Sequence, residues 1–402
     1  MTLETTPPVR RGYRFRLYPT PEQEALFRQF AGACRFVYNL ALEQREREWT
    51  YYRDSGTPLT FYEQSRQLTD LRAEVDWLAA MPRSSLEYAL RDLDRAYQAF
   101  FAGRAKYPTP RRKGVNDAFR CRGREVSVRN FSAKWSAVKL PKIGWVRLRM
   151  TRQMPPEAIA VTISLDALGW HASFDCEVEA VEPVRLSASV GIDRGVANTL
   201  ALSTGEMFSV SPSLDALDRR HRTAQQVAAR RVKGSKRRAA AQRRVAGLAA
   251  RRARIRKDWL HKTSSAIANR FGTVVMEDLK VANMTAGGRG KRGLNRSILN
   301  QGWTQFAALL DYKLTERGGT LVLVNPAYTS QQCSECGVID KESRESQAVF
   351  NCRHCGFRGH ADTNASLNIL RRANSSHPRV EGTGCGPDEA RTTNHAHGVW
   401  GC

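Results

Sequence analysis

The chain has 402 residues, with 64 Lys or Arg against 39 Asp or Glu, so its formal net charge is +25 and its isoelectric point is about 10.2. A positive charge this large opposes a compact fold unless a polyanion neutralises it, which predicts a nucleic-acid partner rather than a membrane. No apolar run is long enough for a membrane-spanning helix. The polar stretch Met1–Arg11 lacks the apolar core of a signal peptide, so we expect a cytoplasmic, nucleoid-associated protein.

The first predicted element is a strand, because apolar and basic residues alternate over Tyr13–Leu17. The sequence Thr-Pro-Glu-Gln at 20–23 then has the residue types and spacing of a helix start with a capping box. A second helix is predicted to begin at Ser84, with Glu87 as the partner in its capping box. The spacing of apolar residues therefore indicates a helical bundle over residues 20–105.

After about residue 106 the apolar residues recur with a period of two, which is typical of strands. Strands on both sides of a helical block predict a β-barrel or β-sheet domain, 1–19 and 106–184, into which the bundle of residues 20–105 is inserted. Two consecutive domains are an equally good interpretation of the periodicity alone.

The second half of the chain alternates strands and helices. In order, the pattern predicts a strand ending at Asp193, a hairpin, a long helical stretch, a strand ending at Glu277, a helix, a strand and a last helix that begins at Asp362. This is the order of an RNase H-like fold, with a mixed sheet and flanking helices. The predicted fold class is therefore α/β plus α+β, with an RNase H-like nuclease domain formed by 185–325 and 362–372.

Three carboxylates stand where such a fold brings strand ends together. Asp193 and Glu277 end two strands and Asp362 opens the last helix, so their side chains are predicted to converge at one edge of the sheet. They could hold two Mg²⁺ or Mn²⁺ ions about 3.5–4 Å apart, one activating water and the other stabilising the leaving 3′ oxygen of a phosphodiester. Each could instead be an ordinary helix cap or solvated strand end. Asp278 is an alternative to Glu277 that strand alternation does not exclude.

Four cysteines form two CxxC pairs, each followed by glycine. The pairs predict one tetrahedral, structural zinc site with the ligands Cys333, Cys336, Cys352 and Cys355. The alternative, four buried thiols, does not explain two paired spacings. We therefore expect an inserted zinc ribbon over 326–361, and a disordered tail over 373–402, where apolar residues are few.

The stretch Arg219–Lys257 is rich in Arg and Lys and contains no Asp or Glu. Its Ala and Gln content favours helix, and such a helix repels itself until phosphates neutralise it. A partly disordered basic arm is the alternative, and it would also bind nucleic acid. The candidate nucleic-acid-binding residues are Arg237, Arg238, Arg243, Arg244, and, in the Gly/Arg-rich loop 286–293, Lys291 and Arg292.

With these motifs the chain resembles the TnpB (OrfB) proteins of bacterial and archaeal insertion sequences, which are smaller relatives of the type V CRISPR effectors. The resemblance extends over nearly all of residues 13–372. It rests on five segments, which are Tyr13–Pro21, Gly191–Gly195, Met276–Leu279, Thr329–Gly337 and Asp362–Leu370. The family has Ala where Ser366 stands here.

The resemblance implies a RuvC-type catalytic triad of Asp193, Glu277 and Asp362, which favours Glu277 over Asp278. It also implies an RNA-guided DNA endonuclease that pairs a guide RNA from the transposon end with one strand of double-stranded target DNA. Two alternatives remain. A DDE-type strand-transfer transposase usually has its glutamate last, whereas the order here is Asp, Glu, Asp. A nuclease-inactive RNA-guided repressor would have lost part of the triad.

Overall fold

The computed structural model describes residues 9–51, 59–178, 186–210, 213–287 and 290–376. The chain forms two compact units, each with mixed α/β structure. The first unit comprises Met1–Pro183 and Val210–Thr263, and the second comprises Val184–Ser209 and Ser264–Cys402. Within the described ranges, no helix has the length and apolar content needed to span a bilayer.

A seven-stranded antiparallel sheet forms the centre of the first unit. Its strands are β1 (Val9–Tyr18), β2 (Ala118–Arg122), β3 (Ser127–Asn130), β4 (Trp135–Leu140), β5 (Gly144–Arg149), β6 (Ala160–Asp166) and β7 (Gly169–Val178). Their order is β2-β6-β7-β1-β5-β4-β3. Strand β1 pairs with both β7 and β5 although a helical block separates it from them in the chain. The helices are therefore an insertion into one sheet, the first of the two arrangements that the periodicity allowed.

The inserted helices are α1 (Pro21–Tyr51), α2 (Phe61–Glu74), α3 (Asp76–Ala79) and α4 (Arg83–Phe101). The predicted capping box of α1 is present, because Thr20 and Gln23 exchange backbone-to-side-chain hydrogen bonds of 3.1 and 3.3 Å. The capping box predicted at Ser84 is wrong. Helix α4 begins at Arg83, and its N-cap residue, Pro82, makes no side-chain cap. Ser84 therefore lies inside the first turn, where it donates to Glu125 at 2.5 Å, and Glu87 pairs with two arginines.

Apolar residues on one face of the sheet pack against the inserted helices. Phe15 of β1 contacts Phe174 of β7 edge to face, with ring centroids 5.9 Å apart, and Phe27 of α1 contacts Trp170 of β7 at 5.0 Å. Three cysteines outside the CxxC pairs are buried in this core, and they are Cys34, Cys121 and Cys176.

The basic stretch forms two helices rather than one, α5 (Ser213–Ala229) and α6 (Lys236–Ala268), with a turn at Gly234, whose φ is +85°. Arg252 of α6 pairs with Asp218 of α5, and Arg254 donates to Asp166 at the end of β6 at 2.8 Å. The first ion pair joins the two helices and the second joins α6 to the sheet, and residues 210–263 belong to the first unit. The predicted nuclease domain, 185–325 and 362–372, includes these two helices. Its boundaries stay a prediction.

The second unit contains a five-stranded sheet of β8 (Ser189–Asp193), β9 (Leu200–Leu202), β10 (Met207–Phe208), β11 (Thr273–Glu277) and β12 (Thr320–Val324). The strand order is β10-β9-β8-β11-β12. Strands β8, β11 and β12 run parallel, and β9 is antiparallel to both β8 and β10. The predicted strands ending at Asp193 and Glu277, and the hairpin between them, are therefore all present.

Among the residues that the structure describes, the second unit also contains four α-helices and a small hairpin. They are α7 (Val281–Thr285), α8 (Arg292–Gln301), α9 (Trp303–Thr315), β13 (Val349–Asn351), β14 (Arg358–His360) and α10 (Ala361–Ser376). Two predicted boundaries need correction. The Gly/Arg-rich loop is shorter than 286–293 because α8 begins at Arg292. The tail does not begin at 373, since Ala373 is buried on α10 against Val275 and Val324. Residues 377–402 of the predicted tail lie outside the described residues.

Candidate active site and metal centre

Two neighbouring parallel strands end in the first two carboxylates. Strands β8 and β11 are in register from Thr273 opposite Ser189 to Met276 opposite Ile192, so Asp193 and Glu277 are the next residues on each strand. Glu277 is only 7% exposed. Asp278 is instead on the exposed side and pairs with Lys280 at 2.7 Å. The structure thus brings Glu277, and not Asp278, to the buried side of this edge.

Helix α10 carries the third carboxylate and packs directly on β8. A Cβ atom at Gly191 would lie 2.1 Å from the carbonyl oxygen of Ser366 and 2.9 Å from Leu370, so only glycine permits this approach. Asp362, in the first turn of α10, is 6% exposed. Close packing at Gly191 therefore brings the start of the helix to the end of the strand that carries Asp193.

The three carboxylates are close enough to perturb one another. Burial raises the pKa of Asp193 to about 7, and the negative charges of Glu277 and Asp362 add to the rise. Burial also raises the pKa of Glu277, against the hydrogen bond from Thr329 and the positive charge of Arg194. Buried carboxylates that repel each other are stabilised when cations bind between them, so the cluster fits divalent metal ions with oxygen ligands.

Four polar residues that the sequence did not single out contact Asp362 or Glu277. The side chains of Asn198 and Arg344 donate to the two oxygens of Asp362 at 3.1 and 3.2 Å. The Thr329 hydroxyl donates to Glu277 Oε1, and the buried guanidinium of Arg194 donates to the backbone oxygen of Glu277. Arg194 and Thr329 lie inside segments that carry the family resemblance, so their positions in the sequence could have indicated a role at the site. Arg344 lies between the cysteine pairs, where nothing in the sequence indicated such a role.

The four predicted zinc ligands come together, with all four sulfur atoms within 4.8 Å of one another. Each CxxC pair forms a tight turn, in which the glycine after the second cysteine, Gly337 or Gly356, has a positive φ and donates to the carbonyl of the first cysteine at 3.0 Å. Four sulfur donors at this spacing fit a tetrahedral zinc ion. Among the described residues no other group of three or more potential ligands is this tight, so the three carboxylates are spread more widely.

The candidate nucleic-acid-binding residues are in different settings. On α6, Arg237, Arg243 and Arg244 are exposed, whereas Arg238 is half-buried and donates to the backbone oxygen of Arg231 at 3.0 Å. Lys291 is exposed immediately before α8. The side chain of Arg292, the first residue of α8, is outside the described set.

Three family models match parts of the chain. The OrfB_IS605 model, described as "Probable transposase", matches residues 173–287, and a "Helix-turn-helix domain" model of the same family matches residues 9–54. A "Cas12f1-like, TNB domain" model matches residues 303–369. In the structure, the described part of the segment that matches the helix-turn-helix model consists of strand β1 and the single helix α1, rather than two helices joined by a turn.

Two curated relatives match almost the whole chain. "Putative RNA-guided DNA endonuclease InsQ" of Escherichia coli (strain K12) is 38% identical over 373 residues, covering 89% of this chain and 91% of the relative. "Putative RNA-guided DNA endonuclease" of Streptomyces pristinaespiralis is 34% identical, covering 90% of this chain and 89% of the relative.

Two solved structures share the fold over most of their length. One is the cryo-EM structure of a Cas12f1-sgRNA-target DNA complex, with a TM-score of 0.58 and 15% identity, covering 90% of this chain and 99% of that one. The other is the mini-RNA-guided endonuclease CRISPR-Cas_phi3, with a TM-score of 0.53 and 11% identity, covering 92% and 93%. The family resemblance found in the motifs is confirmed by the near-full-length relatives: the chain belongs to the TnpB (OrfB) family of insertion-sequence proteins.

Proposed function

We propose that this protein is an RNA-guided DNA endonuclease whose second unit is an RNase H-like, RuvC-type nuclease domain. The observation that carries the proposal is the convergence of Asp193, Glu277 and Asp362 at one buried edge of a mixed sheet. The two near-full-length relatives are both named as RNA-guided DNA endonucleases, which supports the same activity. The order of the five strands, with α10 packed on β8, is compatible with the RNase H-like arrangement.

The proposed reaction is hydrolysis of a phosphodiester bond in target DNA. Asp193, Glu277 and Asp362 would hold two Mg²⁺ or Mn²⁺ ions, which supply an activated water and stabilise the leaving oxygen. Asp193 must lose its proton to bind a cation, and the raised pKa of Asp193 makes that loss occur near neutral pH.

The protein's own donors orient this site. Asn198 and Thr329 each donate to one carboxylate, which fixes the direction of its remaining lone pairs. The guanidinium of Arg344 lies against Asp362, where a phosphate drawn to the site would also meet a positive charge. These contacts let the site bind and orient the scissile phosphate, which is the main contribution that a protein makes to phosphoryl transfer.

The proposed partners are a guide RNA encoded at the transposon end and double-stranded target DNA. A formal net charge of +25 favours a polyanionic partner, and the exposed arginines of α6 supply a surface for phosphates. In this arrangement base pairing with the guide reads the target sequence, and the protein reads only a short adjacent duplex motif. We assign RNA and motif binding to the first unit, and a structural zinc ion to Cys333, Cys336, Cys352 and Cys355.

The test is cleavage of two plasmids by protein reconstituted with a guide that matches only one of them. The proposal expects cutting of the matched plasmid beside its short motif, in Mg²⁺, with loss of activity after RNase treatment. Equal cutting of both plasmids would leave a basic nuclease without a guide. Joined DNA strands instead of free ends would favour the strand-transfer alternative, in line with the description of the OrfB_IS605 model.

A further inference from the structure

One buried loop touches both proposed metal sites. The loop of residues 329–334, called here the 329–334 loop, begins with Thr329 and includes the zinc-ligand candidate Cys333. The Thr329 hydroxyl donates to Glu277 Oε1, and the two residues are 3% and 7% exposed. Thr329 and Cys333 are four residues apart, so the donor to Glu277 and the zinc-ligand candidate belong to one short segment.

Helix α10 binds the same loop through two buried asparagines. The side-chain amide of Asn368 donates to the carbonyl oxygens of Thr329 and Gln332 at 3.0 and 2.6 Å. Asn364 donates to Gln332 at 2.7 Å and accepts from the backbone N–H of Ser334 at 2.8 Å. The exposed fractions of Asn364 and Asn368 are 1% and 3%, so each lost bond would leave a buried polar group unpaired.

The zinc ribbon also reaches the third carboxylate. Arg344, between the two cysteine pairs, donates to Asp362 Oδ1 at 3.2 Å. Strand β14 of the ribbon ends at His360 and α10 begins at the next residue, and the backbone N–H of Asp362 donates to His360 Nδ1 at 3.2 Å. The ribbon therefore contacts Asp362 through Arg344 and His360, and Glu277 through the 329–334 loop.

We propose that zinc binding by the four cysteines sets the geometry of the carboxylate site through the 329–334 loop, with Thr329, Asn364 and Asn368 as positioning residues. The inference rests on the proposed assignment of the two metal sites. Coupling between two binding sites is reciprocal, so loss of zinc should weaken divalent-ion binding at the carboxylates. A ribbon that served only to bind nucleic acid would show no such coupling.

The first experiment compares Thr329→Val with Thr329→Ser in the full-length protein without nucleic acid. Mn²⁺ binding is measured by electron paramagnetic resonance of the free ion, with Asp193→Ala defining the signal that does not arise from the carboxylates. Valine preserves the shape of threonine without its hydroxyl, so Mn²⁺ affinity should fall by about 10- to 100-fold, the range found when partners of metal ligands are removed. Serine should restore it. Equal affinities of Thr329→Val and wild type would overturn the role of Thr329.

The second experiment removes the zinc itself. Zinc is stripped with a chelator, its loss is verified by atomic absorption, and Mn²⁺ binding is measured again after the chelator is removed. We expect a fall of similar size in the wild-type protein and little further fall in Thr329→Val, because both changes act through one loop. Unchanged Mn²⁺ affinity in folded, zinc-free wild-type protein contradicts the proposal.

A third variant keeps the zinc in place. Asn368→Leu removes the amide that joins α10 to the loop, and should leave stoichiometric zinc while lowering Mn²⁺ affinity about tenfold. Its control is Asn283→Ala, an exposed asparagine on α7 that lies outside the ribbon and the 329–334 loop. Equal Mn²⁺ affinity in both variants would contradict the proposal. These readouts do not involve cleavage, so they can fail or succeed separately from the proposed nuclease activity.

Discussion

The side-chain amide of Asn198 donates a hydrogen bond of 3.1 Å to Asp362, although 164 positions separate the two residues in the chain. Asn198 lies between β8 and β9, and Asp362 is in the first turn of α10. The bond thus fixes the carboxylate of the helix relative to the strand that carries Asp193. Pairing of a carboxylate with an amide donor is the arrangement that orients a metal ligand.

Asn198→Ala should therefore reduce the cleavage rate by about 10- to 100-fold with little change in nucleic-acid affinity. The rate is measured under single-turnover conditions over a range of Mg²⁺ concentrations, and part of the loss should be recovered at high Mg²⁺. Asn283→Ala, an exposed asparagine on α7, is the control and should cleave at the wild-type rate. A wild-type cleavage rate in Asn198→Ala would show that Asn198 does not orient Asp362 for metal binding.

The adjacent acids Glu277 and Asp278 form a matched pair. Glu277→Ala should lower cleavage by about 10³-fold or more, because loss of a metal-holding ligand removes several kcal/mol of transition-state stabilisation. Asp278→Ala should retain most activity, because the Asp278 side chain is 45% exposed and pairs with Lys280. Double variants that combine Glu277→Ala with Asp193→Ala should be no worse than the single ones. Comparable losses of activity in Glu277→Ala and Asp278→Ala would contradict the assignment of Glu277, rather than Asp278, as the metal ligand.

The raised pKa of Asp193 has a consequence for stability. The pKa rises from 3.8 to about 7 on folding, so between these values the folded state holds a proton that the unfolded state has released. The protonated carboxyl of Asp193 contributes its full stability below pH 3.8, and this contribution is lost as the pH rises through about 7. Asp193→Asn stays neutral, so in magnesium-free buffer its melting temperature should exceed that of wild type increasingly from pH 5 to pH 8.

Scanning calorimetry at several pH values measures this difference. Adding Mg²⁺ at pH 8 should narrow it, because cations bind the ionised carboxylate of the wild-type protein. A difference that is independent of pH would contradict the raised pKa of Asp193.

The exposed arginines of α6 provide a test of phosphate binding. Replacing Arg237, Arg243 and Arg244 with Gln should weaken RNA binding for all sequences and lower the slope of log affinity against log salt by about 0.7–0.9 per lost phosphate contact. Arg238→Gln is a useful comparison, since Arg238 is half-buried and bonded to Arg231. It should affect the melting temperature more than the salt slope. An unchanged slope in the triple variant would exclude these arginines from the RNA interface.

Local patterns in the sequence predicted most of the elements and the two candidate metal-ligand sets. Apolar periodicity located the strand Thr273–Glu277, and the spacing of two CxxC pairs identified four sulfurs that lie within 4.8 Å of one another. Both signals depend on residues a few positions apart, which is why they can be recognised without a fold. The same kind of local signal failed at Ser84, because α4 begins at Arg83 and Ser84 lies inside the helix, where it donates to Glu125.

Only the tertiary structure decided which distant residues complete the site. It buried Glu277 and exposed Asp278, a choice that strand alternation left open, and it brought Arg344 and Asn198 to Asp362. It also joined both proposed metal sites through the 329–334 loop. These contacts arise from packing of α10 on β8 at Gly191 and from the fold of the ribbon, and no spacing along the chain encodes them.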